Sequence, residues 1–284
     1  MAASFLKDLG LALGRRAINA VDHLVDIYLA PDNPMVDHAL ERAATYLRQS
    51  QTVLVCAGSG LSAESGVPTF RGEGGIFRNP KIATLTNIDT FYDDREAMLK
   101  WYQERRDALS AIDPNDGHRA LIRLAKARGG YTVATQNVDH LLEAAGDEQD
   151  FRPPIIHLHG SLLEVHCHDC DHAFEDLSFD LSRLPACERC EGPLRPGVVW
   201  FGESLPDGAM EATAEAARQA DICLIVGTSG LVQPAASVPE MARHHGAKLI
   251  EINPNPSALS DICDVLIRQK AGRALPSLAQ RVLG

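Results

Sequence analysis

The chain has 284 residues, 45% apolar and 23% charged, with a formal net charge of -11. This is the composition of a folded, water-soluble chain, long enough for one large domain with a small satellite. The acidic balance argues against direct nucleic-acid binding, which rests on Lys and Arg meeting phosphates, and no apolar run reaches membrane-spanning length.

Amphipathic helical patterns occupy residues 4–30, where Asp8, Asp22 and Asp26 among the basic residues argue against a targeting leader. Apolar residues at Val36, Ala39, Leu40, Ala43 and Leu47 have helical spacing. The run from Thr52 to Ala57 reads as a buried parallel strand, followed by a Gly-, Asn- and Pro-rich loop from Gly66 to Pro80. Helices are expected at 94–109 and 117–128, a strand at 131–135, a helix at 138–145 closed by Gly146, and a strand at 155–158. Residues 161–200 change character, holding four cysteines and three histidines in little continuous apolar sequence. The α/β rhythm then resumes, with helices at 207–219, 234–245 and 274–282 and strands at 222–226, 248–252 and 265–267. Alternating strands and helices imply an α/β fold with a parallel sheet covered on both faces, interrupted by an inserted module.

Six motifs carry candidate chemistry. Gly58-Ser59-Gly60-Leu61-Ser62-Ala63-Glu64-Ser65-Gly66 follows the first strand. Glycines there either let backbone approach a pyrophosphate or form an ordinary tight turn. Gly227-Thr228-Ser229 ends a second strand in small hydroxylated residues. Asn253, at the tip of a third, suits a ribose hydroxyl or starts an Asn-Pro turn. Gln136-Asn137-Val138-Asp139 offers either a helix cap or a polar cluster for a sugar or amide. His159-Gly160 places a histidine at a strand end, as a general base near neutral pH or as a structural residue. Cys167-x2-Cys170 and Cys187-x2-Cys190, with sixteen residues between the pairs, form a tetrahedral thiolate set for structural zinc; a closed set of four leaves no position for catalytic water. His166, His168 and His172 are spectators beside a full cysteine set. Seven cysteines, an odd number, imply a reducing compartment, and a cytoplasmic protein is expected.

In this order, these motifs, together with Val67-Pro68-Thr69-Phe70-Arg71-Gly72 and Val199-Trp200-Phe201-Gly202-Glu203, resemble the sirtuins over about residues 36–282. The resemblance implies a Rossmann-like NAD-binding domain (36–160 and 201–284), a zinc module (161–200) joined by part of the 72–118 helical segment, and a helical extension (1–35). It implies NAD-dependent removal of acyl groups from protein lysines. The acyl oxygen attacks the ribose, and nicotinamide and O-acyl-ADP-ribose are released. His159 would be the general base, with Asn137 and Asp139 holding the nicotinamide ribose and carboxamide beside Gln136. Phe70 would cover the nicotinamide and Arg71 would sit in the cofactor loop. Gly58, Ser59, Gly60, Ala63, Glu64, Gly227, Thr228, Ser229 and Asn253 would serve the pyrophosphate and adenosine end, with Ala271 behind the adenine. Val199, Trp200, Phe201, Gly202 and Glu203 would pair with an acyl-lysine peptide as an added strand.

Tyr102 and Arg105 are three apart and share a helix face. By themselves they read as a solvated charged surface. Yet they resemble the Tyr-x-x-Arg pair of the sirtuin subclass that removes acidic acyl groups, implying succinyl and malonyl substrates alongside acetyl. The runner-up reading on the same scaffold is a mono-ADP-ribosyltransferase or NAD glycohydrolase. A non-catalytic NAD-sensing module is the alternative from another class. The stretch 78–89 departs from the family pattern, and Ser59 stands where alanine is usual.

Overall fold

The computed structural model describes residues 34–71, 75–174 and 180–284. The helices expected within 4–30 lie outside the described residues. Six strands form a parallel sheet: β1 (Val53–Ala57), β2 (Tyr131–Thr135), β3 (Ile155–His157), β7 (Ile222–Val226), β8 (Lys248–Ile252) and β9 (Val265–Ile267). Their order is β3-β2-β1-β7-β8-β9. The chain therefore runs outward from β1 in one direction and from β7 in the other. The two central strands straddle a topological switch point, where parallel sheets open a crevice at their carboxyl ends.

Alternation along the strands feeds two cores. Val53, Val55, Ala57, Leu224 and Val226 face a cluster shared with α1 (Pro34–Gln49), α5 (Asp116–Arg128) and α9 (Ala271–Leu283). Leu54, Cys56, Cys223 and Ile225 face the opposite cluster, shared with α7 (Ala209–Gln219) and α8 (Val238–His244). Burial on both faces explains why these strands read as continuous apolar runs.

The inserted module is a three-stranded antiparallel sheet of order β5-β4-β6, built from β4 (Gly160–Cys167), β5 (Ala173–Phe174) and β6 (Leu194–Val198). Its core also takes Phe91, Met98, Leu99 and Tyr102. These residues come from α3 (Ile88–Asp93) and α4 (Arg95–Leu109). Gln103 fastens α4 to the module by accepting the Leu181 N–H at 3.1 Å.

Three local expectations need correction. The loop through 80 runs into short helices, α2 (Pro80–Thr84) and α3, capped by the side chains of Asn79 and Asn87. They are too short to show a helical period. The helix expected at 138–145 is α6 (Leu141–Asp147), with Gly146 inside it. A Cβ on Gly146 would lie 2.8 Å from the Phe151 carbonyl, so the glycine serves the returning chain rather than the helix end. Residues 199–203 are not a strand. The Phe201 N–H goes to Thr86 O at 2.8 Å and its carbonyl accepts from Ile88 N at 3.0 Å, so one edge of the segment is already used.

The turns after β1 and β7 meet in direct backbone contact. Gly60 N donates to Gly227 O at 2.9 Å, and Gly227 has φ +62. A Cβ on Gly227 would lie 2.6 Å from Gly60 Cα. Gly66 also has positive φ, but a Cβ there would meet nothing within 4 Å. Gly227→Ala is expected to lose about 3 kcal/mol or more from strain plus overlap, and Gly66→Ala about 1 kcal/mol from strain alone. Urea denaturation of the two variants checks the order, and a smaller loss at Gly227 contradicts the contact.

Candidate active site

The crevice is a cleft of about 1610 Å³ running over the carboxyl ends of β1, β2, β7 and β8. Gly58, Ser59, Gly60, Ala63, Glu64, Phe70, Arg71, Gln136, Asn137, His159, Gly227, Thr228, Ser229 and Asn253 all line it. So do Tyr102, Arg105 and Val199 through Glu203. Asp139 and Ala271 do not line it: both are buried, Asp139 behind Asn137 and Ala271 at the first turn of α9, where the neighbouring Lys270 reaches the cleft instead.

Hydrogen bonds tie the strand ends together. Gln136 Nε2 donates to Thr228 Oγ1 at 3.1 Å, and Asn253 Nδ2 donates to Thr228 O at 2.9 Å. The loop after Asn253 is held from beneath by a buried ion pair. Arg268 Nη1 meets Glu251 Oε2 at 2.6 Å and reaches the carbonyls of Asn253 and Asn255, each at 3.3 Å. Ser260 Oγ donates to the same carboxylate at 2.7 Å, so the buried charge is neutralised and hydrogen-bonded. Glu64 accepts the Gly272 N–H at 2.6 Å, which places a carboxylate at the amino end of α9.

Beneath the cleft lies a buried polar hub that the sequence did not disclose as such. Ser62 Oγ donates to Asp139 Oδ2 at 2.8 Å and accepts from Asn137 Nδ2 at 3.2 Å. His118 Nδ1 accepts the Asn115 N–H at 3.2 Å, so its proton sits on Nε2, 3.4 Å from Ser62 Oγ. That hydroxyl thus uses its one donor and both acceptor sites. Burial, with Arg119 nearby, pushes His118 down to about 4 and keeps it neutral. Burial raises Asp139, against the hydrogen bonds from Ser62 and the Leu141 N–H. Ser62 lay inside the glycine motif and His118 in a helix start. Only the fold, through the capping of α5 by Asn115, brings them together.

His159 stands at the end of β3, half-buried at the cleft wall. Its Nδ1 lies 3.1 Å from Gln136 O. A carbonyl only accepts, so Nδ1 carries the proton and Nε2 keeps the lone pair of a neutral ring. Burial lowers the ring's pKa below the ordinary 6.5, opposed by that hydrogen bond. His157, two residues earlier, points elsewhere, with Nε2 at 2.6 Å from Glu143 Oε1. Aromatic contacts close the roof: Phe70 lies 5.3 Å from Phe77, and Phe77 lies 5.8 Å from Phe201, centroid to centroid. Phe77 was not singled out from the sequence.

At one end of the cleft, Tyr102 and Arg105 project from α4. Tyr102 is buried, and burial pushes its phenol well above the ordinary range. The Arg105 guanidinium lies 4.7 Å over the Trp101 ring. Burial pushes its pKa down, and no carboxylate among the described residues pairs with it. A partly desolvated cation without a counterion marks a place for an anion.

The ligand atoms of Cys167, Cys170, Cys187 and Cys190 lie within 4.8 Å of one another. Two Sγ–Sγ separations are 3.4 Å and 3.8 Å. Four thiolates at ~2.3 Å from a tetrahedral ion are about 3.8 Å apart, so the donor set fits zinc. The backbone N–H groups of Asp169 and Arg189 donate to Cys167 Sγ and Cys187 Sγ, each at 3.4 Å, which suits thiolates.

A nucleotide-sized cleft at a switch point, a neutral imidazole in its wall and a four-thiol module beside it define an α/β protein of the nucleotide-binding class with a small cysteine-clustered satellite. The chain belongs to the Sir2 family, whose model matches residues 58–234. It is 38% identical over 243 residues to NAD-dependent protein deacylase 1 of Archaeoglobus fulgidus, covering 85% of this chain and 97% of that one. It is 40% identical over 251 residues to the NAD-dependent protein deacylase of Pseudomonas putida, covering 85% and 94%. Among solved structures it is similar to a Sir2 homolog–NAD complex, with TM-score 0.78, 39% identity and 85% and 93% coverage. A Sir2 protein bound to a propionylated peptide gives TM-score 0.71 at 27% identity, covering 83% and 95%. No helix among the described residues is long and apolar enough to cross a membrane.

Both tryptophans of the chain, Trp101 and Trp200, belong to the core of the small module. Removing a metal from the four thiols should loosen that core and red-shift tryptophan emission, while the far-ultraviolet signal of the large sheet persists. Chelation, with metal loss verified by elemental analysis, tests this. Unchanged emission after complete removal would show that the ion does not hold the module.

Proposed function

We propose that this chain is an NAD-dependent protein-lysine deacylase that admits acidic acyl groups, succinyl and malonyl, alongside acetyl, and carries structural zinc at its four thiols. The names of its curated relatives and the NAD complex of a similar structure support the deacylase reading. One observation carries the acyl assignment: Arg105 and Tyr102 enter the same cleft as His159, and the guanidinium has no carboxylate partner among the described residues. A distal carboxylate can take the planar guanidinium in two parallel hydrogen bonds while the phenol donates a third.

The residues divide the work. Gly58, Gly60 and Gly227 spend their own N–H groups within the turns and leave room along the cleft, so Ser229 offers the backbone donor for the pyrophosphate, with Arg71 and Lys270 as cations beside it. Asn253, fixed by Thr228, faces the adenosine end. Asn137, held by Gly58 O and Ser62, presents an amide to the nicotinamide ribose, and Asp139 holds it from behind through Ser62. As the acyl oxygen bonds to ribose C1′, the glycosidic electron pair leaves with nicotinamide. Positioning and exclusion of water do most for such a cationic transition state. His159 Nε2 then takes the proton of a ribose hydroxyl. The lysine segment runs along Val199–Glu203, where the Phe201 edge is already occupied, so strand addition uses the remaining backbone groups. Cys167, Cys170, Cys187 and Cys190 would hold zinc as a closed structural set with no position for a Lewis-acid step, and would so keep the module beneath that segment in shape. The free thiols of Cys56, Cys223 and Cys263 support a reducing, cytoplasmic setting.

Two outcomes follow. The base works when neutral, and burial disfavours the imidazolium, so His159 stays active below the ordinary histidine value. The acid limb of kcat/KM should have its midpoint below 6.5 and vanish in His159→Ala. A pH profile on succinyl-lysine peptide checks it, and a midpoint above that value contradicts the burial argument. Arg105→Met should cut kcat/KM on succinyl-lysine peptide by about a hundredfold, the size of a lost charge-assisted pair, while acetyl-lysine changes by less than about threefold. Equal losses on the two peptides exclude the carboxylate clamp.

A further inference from the structure

Glu203 is a problem for the acyl assignment. It lines the same cleft as Tyr102 and Arg105, and a bare carboxylate there would repel an acidic acyl group. Its side chain is 21% exposed and that of Arg195 only 6%. The two meet in a forked pair, Nη1–Oε1 at 2.5 Å and Nη2–Oε2 at 2.8 Å. Glu203 Oε2 also accepts the Trp200 N–H at 2.8 Å. Burial opposes the charge on Glu203, but these hydrogen bonds hold its carboxyl below the ordinary range, so it is ionised.

Arg195 is as firmly placed as its partner. It sits on β6, and its Nη2 also donates to Val198 O at 2.8 Å. Its Cζ lies 3.5 Å from the centroid of Trp200. The Trp200 ring packs 6.0 Å from Tyr102. Arg195 does not line the cleft. It therefore faces the back of Glu203 and Trp200, while Arg105 and Tyr102 face the acyl group.

We propose that Arg195 is a specificity-setting positioning residue, whose charge cancels that of Glu203 and so lets the acyl end of the cleft accept a carboxylate. The inference rests on the carboxylate-clamp reading of Arg105. A purely structural Arg195 would affect all substrates alike. A charge-cancelling Arg195 changes the ratio of acidic to neutral acyl substrates, because only the former feels an uncompensated anion.

The test is the ratio of kcat/KM on succinyl-lysine to that on acetyl-lysine peptide, which is independent of the folded fraction. Arg195→Met should lower the ratio about tenfold, the scale of one uncompensated charge in a partly screened site. Arg195→Met combined with Glu203→Gln should restore it to within about threefold, because both charges are gone. Glu203→Gln alone should raise it, leaving an extra cation, and serves where Arg195→Met does not fold. An unchanged ratio in Arg195→Met, or an unchanged or lowered one in Glu203→Gln, overturns the proposal. Arg105→Met run beside them separates the two ideas. If it leaves the ratio intact, the clamp itself is wrong; if it lowers the ratio while Arg195→Met does not, only the role of Arg195 falls.

Discussion

The contact between the turns after β1 and β7 is the constraint on which the site depends. Gly60 and Gly227 approach so closely that neither tolerates a Cβ. Their union at the switch point sets where Ser62 falls, and Ser62 in turn holds Asn137, Asp139 and His118. Glycine here clears space for backbone. It lets two loops from distant parts of the sequence share one backbone hydrogen bond, and the polar groups behind them become buried, paired and fixed.

That buried pairing governs electrostatics. His118 is kept neutral by burial, and Asp139, raised by burial, has its two oxygens held by a hydroxyl and a backbone N–H. His159 is handled differently: a single carbonyl selects its tautomer and leaves the other nitrogen with its lone pair. The cations along the cleft wall are Arg71, Arg78, Arg105 and Lys270, drawn from different segments of the chain, which suits a ligand whose negative charges are spread along its length.

Much of the fold was legible in the sequence, for physical reasons. The strands at 131–135, 222–226, 248–252 and 265–267 match residue for residue because each is a short run rich in aliphatic and β-branched residues bounded by turn residues, and 222–226 is apolar and buried throughout. The cysteine spacing foretold the four-thiol cluster because metal ligation imposes its own arithmetic. Local chemistry hid the rest. The helices at 80–84 and 88–93 are single turns stabilised by Asn caps, without an amphipathic period. Ala271, which the resemblance set behind the adenine, is buried in the first turn of α9, a helix that begins one turn earlier than its pattern suggested. Ser62 and His118 bear on the site through partners 56 and 77 residues away, and Arg195 through Glu203, eight residues on across a turn the sequence does not locate.

The placement of α4 has a consequence for how such a protein can diversify. The imidazole is mounted on the large sheet, whereas Tyr102 and Arg105 ride on a helix whose apolar side is buried in the thiol-tied module. Two separately packed bodies thus meet over one cleft, and in the proposed reading one serves the bond broken and the other the shape of the group attached. In that reading, substitutions along that helix retune which modification is erased while the ribose chemistry stays untouched.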